Sequence, residues 1–239
     1  MADDSDEVDP VAVAPAGQLI GRLATLTTAA VSDALDAQGL PGSVHGIAPL
    51  TSQRLAGPAF TVAYQAAGCE RGNRGGVGLV GSVGDFLDDV PPGGVVVIDN
   101  AGRTDCTVWG GIMTQAALVR GLAGTVIHGA ARDVAISRAY GYPLFTTGRF
   151  MRTGKDRVRL AGVGVALSIA GVPICPGDWV TGDADGVVVI PARHLEQVVD
   201  IAEGIERIEH RIVDAVHAGG SLRQARAVHG YHKLQRGAR

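Results

Sequence analysis

Hydrophobic positions along the chain come in two patterns, and each predicts a different element. Nearly unbroken apolar runs at "GGVVVIDN", "GTVIHG" and "DGVVVIP" read as strands, together with "AFTVAYQ", "YPLFTTG" and "GVALSIAGVPI". Continuous valine and isoleucine, instead of apolar and polar in alternation, calls for burial on both faces of the sheet. Between these runs "VGDFLDD", "GIMTQAALVRG" and "DVAISRAYG" read as helices, the last two at the spacing that gives right-handed crossovers between parallel strands. After Gly148 the strands follow one another with no helix between them, which predicts an antiparallel or barrel-like half. The second pattern is a three-to-four-residue period. Leu195, Val198, Ala202, Ile205, Ile208, Ile212 and Val216 mark one long amphipathic helix from Arg193 to the "AGG" stop. Near the start, "QLIGRLATL" and "TTAAVSDALDAQG" predict two helices, the second capped by a threonine and stopped at Gly39.

The ends of the chain differ from its middle. Residues 1–15 carry Asp3, Asp4, Asp6, Glu7 and Asp9 with few large apolar groups, the composition of a disordered acidic tail. Residues 16–218 are expected to form a single domain, and 219–239, "GSLRQARAVHGYHKLQRGAR" from its second residue, a basic tail. With 46% hydrophobic residues among 239, there is ample material for a buried core. The net charge of -3 offers no basic field for nucleic acid, so no nucleic-acid partner is expected. Cys69, Cys106 and Cys175 stand apart, which argues against a disulfide scaffold and for a reducing cytoplasm. No apolar run is long enough for a membrane span, and the acidic start is unlike a signal peptide.

Candidate chemistry gathers where strands end and helices begin. In "VWGGIMTQ" a helix opens on Gly110 and Gly111, and its first-turn N–H groups have no intrahelical acceptor. Bare backbone there admits an anion; equally, it permits close strand-to-helix packing. Arg132 and Asp133 follow "TVIHGAA" at a strand's carboxyl end, where parallel α/β sheets place ligands. An arginine clamps a carboxylate in two hydrogen bonds and an aspartate ligates a hard cation; the alternative is an ion pair beside a helix cap. Arg103 and Asp105 of "GRTDC", and Asp99 at a strand end, fall at the same sheet edge. His128 lies near it too, as a candidate or as a satisfied strand-end histidine. "GCERGNRGGVG", with Asn73 and Arg74, is a loop over a site or a solvated turn, while "TGKDR" and "GDADG" read as hairpin turns.

From about Ala30 to Arg211 the chain resembles the family of the ribonuclease E activity regulator A and the 4-hydroxy-4-methyl-2-oxoglutarate aldolases. The resemblance rests on "VSDALDAQG", "GPAFTV", "VPPGGVVVIDNAGRTDCTVWGG", "GLAGTVIHGAARD", "YGYPLF" and "PGDWVTGDADGVVVIP". It implies an α/β/β/α swivelling-domain-like fold with a central mixed sheet and a barrel-like half, flanked by N- and C-terminal helices. It also implies a homotrimer or homohexamer with sites between subunits. For the aldolase members it implies a class II lyase acting on a small 2-oxo acid with a divalent metal, Mg2+ or Mn2+. Arg132 and the N–H groups of Gly110, Gly111, Ile112 and Met113 then hold the pyruvyl carboxylate, and Asp133 positions the metal. The family's acidic residue, with twenty residues between it and Arg132, falls on Gly111. Asp105 or Asp99 is the replacement, or the substrate supplies its own acid–base group, or aldolase activity is lost. The readings that remain beside a lyase are a non-catalytic regulator that binds a ribonuclease or another protein, and a different lyase or hydrolase step. No Schiff-base lysine is expected, since the only lysines, Lys155 and Lys233, lie outside the apolar strands.

Overall fold

The computed structural model describes residues 16–68 and 84–231. The acidic tail, the loop bearing Asn73 and Arg74, and the last eight residues lie outside them. Two helices open the fold: α1 (Ala16–Thr25) and α2 (Thr28–Gln38). Thr27 caps α2 by accepting the N–H of Ala30 at 3.2 Å, and Gly39 ends it in the left-handed region at φ 67°. The strands follow as β1 (Ser43–Val44), β2 (Ala48–Pro49), β3 (Leu55–Ala66), β4 (Val95–Asp99), β5 (Gly124–Ala131) and β6 (Leu144–Arg149). After them come β7 (Val158–Val163), β8 (Leu167–Ile169), β9 (Val172–Ile174), β10 (Trp179–Gly182) and β11 (Val187–Ile190). Helices α3 (Gly111–Val119) and α4 (Val134–Ala139) link the parallel strands; α5 (Leu195–His217) and α6 (Leu222–Val228) close the chain.

One mixed sheet runs β1-β11-β10-β3-β4-β5-β6-β2, with β7 also on β3. Strands β3, β4, β5 and β6 are parallel, and β10, β11, β1, β2 and β7 join antiparallel. The long β3 makes this possible. Leu55–Pro58 pairs with β10, Ala59–Ala63 with β4, and its far end with β7, so one strand belongs to both halves.

The double burial expected of the valine runs is present, and it sets the layers. Val96 and Ile98 of β4 pack outward with Ile127, Trp109 and Met113 beneath α3 and α4. Val95 and Val97 face the interior with Val126, Phe145, Val180, Val187 and the β8–β9 hairpin. On the far side Val188 and Ile190 of β11 meet α1, α2 and α5 through Leu23, Val31, Leu35, Val198 and Ala202. The order is therefore helix, parallel strands, antiparallel strands, helix, which is the α/β/β/α fold with a barrel-like half. Among the described residues no helix is long and apolar enough to cross a membrane.

Three local expectations change. "GVALSIAGVPI" is not one strand: Ala170 and Gly171 both take positive φ, 51° and 83°, and fold it into β8 and β9. "VGDFLDD" forms a 3-10 turn at Asp85–Asp89. Part of the basic tail folds as α6, which Ser221 caps and which packs on α5.

The "GDADG" turn does more than join β10 to β11. Asp183 is buried and accepts the Thr28 hydroxyl at 2.6 Å and the Thr28 N–H at 2.9 Å, with the Asp185 N–H at 3.0 Å. Burial works to raise its pKa. The bonds from Thr28 and Asp185, with Arg54 nearby, outweigh burial and hold the carboxyl below its usual range. A carboxyl lowered on folding stabilises the protein above its unfolded pKa of roughly 4, and that share is lost as pH falls through the lower folded value. Asp183→Asn is expected to cost about 1–3 kcal/mol in urea unfolding at neutral pH. The difference from wild type should shrink as pH falls below the unfolded pKa of roughly 4 and the wild-type carboxyl protonates.

Candidate functional site

Strands β4 and β5 end side by side, and the segment after β4 doubles back across the end of β5. Thr107 bridges Ala130, the Val108 N–H donates to the Ala130 carbonyl at 3.3 Å, and the Arg132 N–H to the Trp109 carbonyl at 3.0 Å. That places Gly110 directly against Arg132 and Asp133. Gly110 caps α3 with an extended backbone, φ -157°, which any residue adopts. Its requirement is space, because a Cβ there would lie 2.9 Å from Asp133 Oδ2 and 3.2 Å from Arg132 Nε. At Gly111 a Cβ would lie 2.6 Å from Ile136 Cδ1.

Asp133 stands at the N-cap position of α4 but makes no capping bond. Its backbone is left-handed, φ 56° and ψ 35°, a conformation that costs a non-glycine residue on the order of 1 kcal/mol. The result is that the carboxylate points back across the crossing: Oδ2 accepts the Gly111 N–H at 2.9 Å and lies 3.7 Å from Arg132 Nε. A carboxylate does sit on the naked start of α3, and it is the chain's own. The Thr114 N–H closes the first turn onto the Gly110 carbonyl. The N–H groups of Ile112 and Met113, in the same first turn, have no acceptor within the helix. Arg132 and Asp133 are both part-exposed, at 41% and 43% of their side chains, so a solute reaches them. Ile112 projects outward, 86% exposed, while Met113 is buried. A helix N-terminus plus a guanidinium, against one carboxylate, suits an anion.

Beneath this surface the two crossings are bolted together. The Trp109 Nε1–H donates to Thr114 Oγ1 at 3.0 Å, and that hydroxyl shares a 3.0 Å bond with Ser137 Oγ of α4. All three are buried. Trp109 stacks on Tyr142 at 5.9 Å between centroids, and Tyr142 reaches Thr125 of β5 at 2.8 Å. Thr114, Ser137 and Ile136 were not singled out by sequence. Ser137 and Ile136 sit on the short α4, whose apolar spacing is too brief to tell a site face from a core face.

The remaining candidates lie elsewhere along the same edge. Asp105 is locked to Arg103 through two bonds of 3.0 and 2.9 Å, and Arg103 holds its carboxyl below the usual range. Asp99 accepts the Ala101 N–H at 2.8 Å and stands 2.8 Å from His128 Nδ1. Neither has a contact with Arg132 or Asp133, so the structure does not bring them to the Gly111 crossing. Among the described residues no three His, Cys, Asp or Glu side chains converge to hold a metal.

The chain is similar to several known proteins. The model of the RraA-like family, described as Aldolase/RraA, matches residues 28–189. Protein DlpA of Legionella pneumophila is 41% identical over 216 residues, 90% of this chain but only 34% of DlpA, so the chain spans about a third of that relative's length. A Halalkalibacterium halodurans protein named "Putative 4-hydroxy-4-methyl-2-oxoglutarate aldolase" is 37% identical across 77% of this chain and 81% of its own. A crystal structure of an uncharacterized protein from Pseudomonas syringae superposes with a TM-score of 0.80 at 42% identity, covering 88% of this chain and 98% of that one.

The bolt under the site is open to direct test. Thr114→Val removes the hydroxyl but keeps the shape, stranding the Trp109 N–H and weakening the tie to Ser137. It is expected to cost about 2–3 kcal/mol in denaturant unfolding, with Trp fluorescence reporting the change at Trp109.

Proposed function

The chain belongs to the RraA-like family, and from that premise we propose that it is a divalent-metal-dependent lyase cleaving a short 2-oxo acid to release pyruvate. The observation that carries this reading is Asp133, held left-handed with its carboxylate on the Gly111 N–H and Arg132 beside it, both side chains part-exposed. The aldolase name of the Halalkalibacterium relative points the same way. The reaction is retro-aldol cleavage of the 4-hydroxy-4-methyl-2-oxoglutarate type, oxaloacetate decarboxylation, or both.

One carboxylate is too little for a closed metal cage, but it suits a hard cation. Mg2+ and Mn2+ are commonly held by one or two carboxylates, with substrate oxygens and water completing the shell. Asp133 fits that part, because only its Oδ2 has a partner among the described residues. The cation, when bound, supplies Lewis-acid polarisation of the 2-oxo group. The chain's own groups do the rest. Arg132 receives the substrate carboxylate, the Ile112 and Met113 N–H groups donate to its oxygens, and the guanidinium stabilises negative charge as the carbon–carbon bond opens. Gly110 leaves room for Asp133 and Arg132 beside the helix start. Exposed Ile112, Val119 and Tyr140 on the outer side of α3 and α4 support burial against another copy in a homotrimer or homohexamer. The free thiols of Cys106 and Cys175 support a reducing, cytoplasmic setting.

Arg132→Ala and Asp133→Ala are each expected to lower kcat/KM for pyruvate release by about 100-fold or more. Chelator should abolish turnover by the wild type. Coupled detection of pyruvate checks both, and unchanged unfolding curves would exclude a folding defect. Full activity in either variant would remove the site assignment.

A further inference from the structure

The carboxyl edge of the parallel sheet carries a run of cations outside the Gly111 crossing. From the end of β6 to the start of β7, "RFMRTGKDRVR" brings Arg149, Arg152, Lys155, Arg157 and Arg159 into residues 149–159, with Asp156 as the only acid. All five cations are exposed. The stretch is net +4 in a chain of net -3, so -7 falls on the rest of the sequence.

The backbone fixes this strip in place. The Phe150 N–H donates to the Ala131 carbonyl at 3.0 Å, the Thr107 N–H to the Arg152 carbonyl at 3.0 Å, and the Ala67 N–H to the Arg157 carbonyl at 2.9 Å. The strip therefore runs from the end of β5 to the end of β3. Its guanidinium groups are held without a carboxylate. Arg152 lies over the Phe150 ring at 5.6 Å, Arg157 Nη1 donates to the Thr153 and Lys155 carbonyls at 3.2 Å, and Arg159 donates to the Gln65 amide oxygen at 2.9 and 3.2 Å. None of the five forms a salt bridge among the described residues, and Asp105, which feels the charge of Arg152, is already closed on Arg103. Like charges gathered this closely repel one another until an anion lies over them.

A complement exists in the same sequence. Residues 3–9 hold five carboxylates, Asp3, Asp4, Asp6, Glu7 and Asp9, and no cation. Asp9 and Asp3 precede Ala16, where α1 begins, by at most about 23 to 43 Å of chain. Helix α1 packs in the cluster that includes Ala56 of β3, and from Ala56 to Ala66 that strand covers about 33 Å. The acidic segment is thus long enough to follow β3 to its far end, where the strip lies. A tether of this length sets an effective concentration on the order of millimolar, and cations already held in place lose little freedom on binding. The other basic stretch, 223–239, spreads Arg223, Arg226, Lys233, Arg236 and Arg239 more thinly. We propose that residues 3–9 dock on the strip 149–159, forming an electrostatic latch across the carboxyl edge of the parallel sheet. The latch does not depend on the lyase reading.

The test uses the full chain and its two lysines, Lys155 in the strip and Lys233 outside it. A zero-length carbodiimide joins a carboxylate to an amine only where the two meet, so mapping of tryptic peptides reads the contact directly. Peptide 153–157 should be found joined to 1–22 through an acid of residues 3–9, at a yield at least about fivefold above the same link to Lys233. Raising NaCl from about 0.05 to about 0.5 M should cut the yield about fivefold, and Arg149→Glu/Arg152→Glu should cut it as far. A second readout needs no cross-link. Neutralising the segment, with Asp3→Asn, Asp4→Asn, Asp6→Asn, Glu7→Gln and Asp9→Asn together, should speed hydrogen exchange of amides 151–157 by about threefold or more. Equal links at both lysines, no link at Lys155, or exchange unchanged in the neutralised variant would each overturn the latch. A link found only in covalent dimers would overturn its tethered form. Tight binding of a single-stranded RNA oligonucleotide by the wild type at about 0.15 M salt would give the strip to nucleic acid instead.

Discussion

The bond from the Gly111 N–H to the Asp133 carboxylate is the contact on which the site depends. It joins the starts of two consecutive strand-to-helix crossings, and every feature around it is arranged to allow it. Gly110 is bare because a Cβ would press on Asp133 Oδ2, and Asp133 takes a left-handed backbone from which its carboxylate reaches the Gly111 N–H. Below, Trp109, Thr114 and Ser137 hold the two helices in register, so the crossing is fixed from the core side as well. A single hydrogen bond of this kind contributes about 1 kcal/mol, comparable with the backbone cost at Asp133. The buried chain beneath it is what keeps the geometry from relaxing.

That buried chain exists because the strands are covered on both faces. Val96 and Ile98 need α3 and α4 above them, while Val95 and Val97 need the antiparallel half below. With both faces closed, the open parts of the parallel strands are their ends, and polar side chains collect there: Asp99, His128, Arg132 and Asp133. Strand β3, shared by both halves, sets the outline of that edge. The position of the site thus follows from burial, and the identity of its side chains decides what it does.

Sequence alone was a good guide wherever a feature is local. The cap of α2 at Thr27, its stop at Gly39 and the period of α5 need only neighbouring residues, and all appear in the structure. The adjacency of Gly110 to Arg132 also followed, since consecutive crossings of a parallel sheet lie side by side. What escaped was contact over distance. Asp183 reaches Thr28 across 155 positions, and no pattern in "GDADG" distinguishes a turn from an anchor. Ile136 looks like any aliphatic residue on a short helix until its δ-methyl is seen over Gly111. The single strand expected at "GVALSIAGVPI" failed for another reason. Apolar residues flank a turn whose first residue is alanine, which rarely takes positive φ, so the break is nearly silent. Asp99 and Asp105 belong to the right edge of the sheet, but their nearest cation or imidazole claims each of them first.

Gly111 also shows why a conformational explanation and a steric one must be kept apart. Neither glycine at the start of α3 is there for a left-handed backbone; each marks a place where another side chain has taken the volume. At Gly110 the occupants are Arg132 and Asp133, polar groups that the glycine exposes to solvent and to a ligand. At Gly111 the occupant is Ile136, which closes the space with hydrocarbon. Restoring a side chain at 111 is therefore not a one-residue event, because the isoleucine must move or be replaced. The bare backbone at 111 and the δ-methyl of Ile136 share one volume, so the side chains at these two positions are coupled across consecutive helices. In a fold that holds its clamp in place through buried bonds elsewhere, such a pair can change the chemistry at the surface without disturbing the frame beneath it.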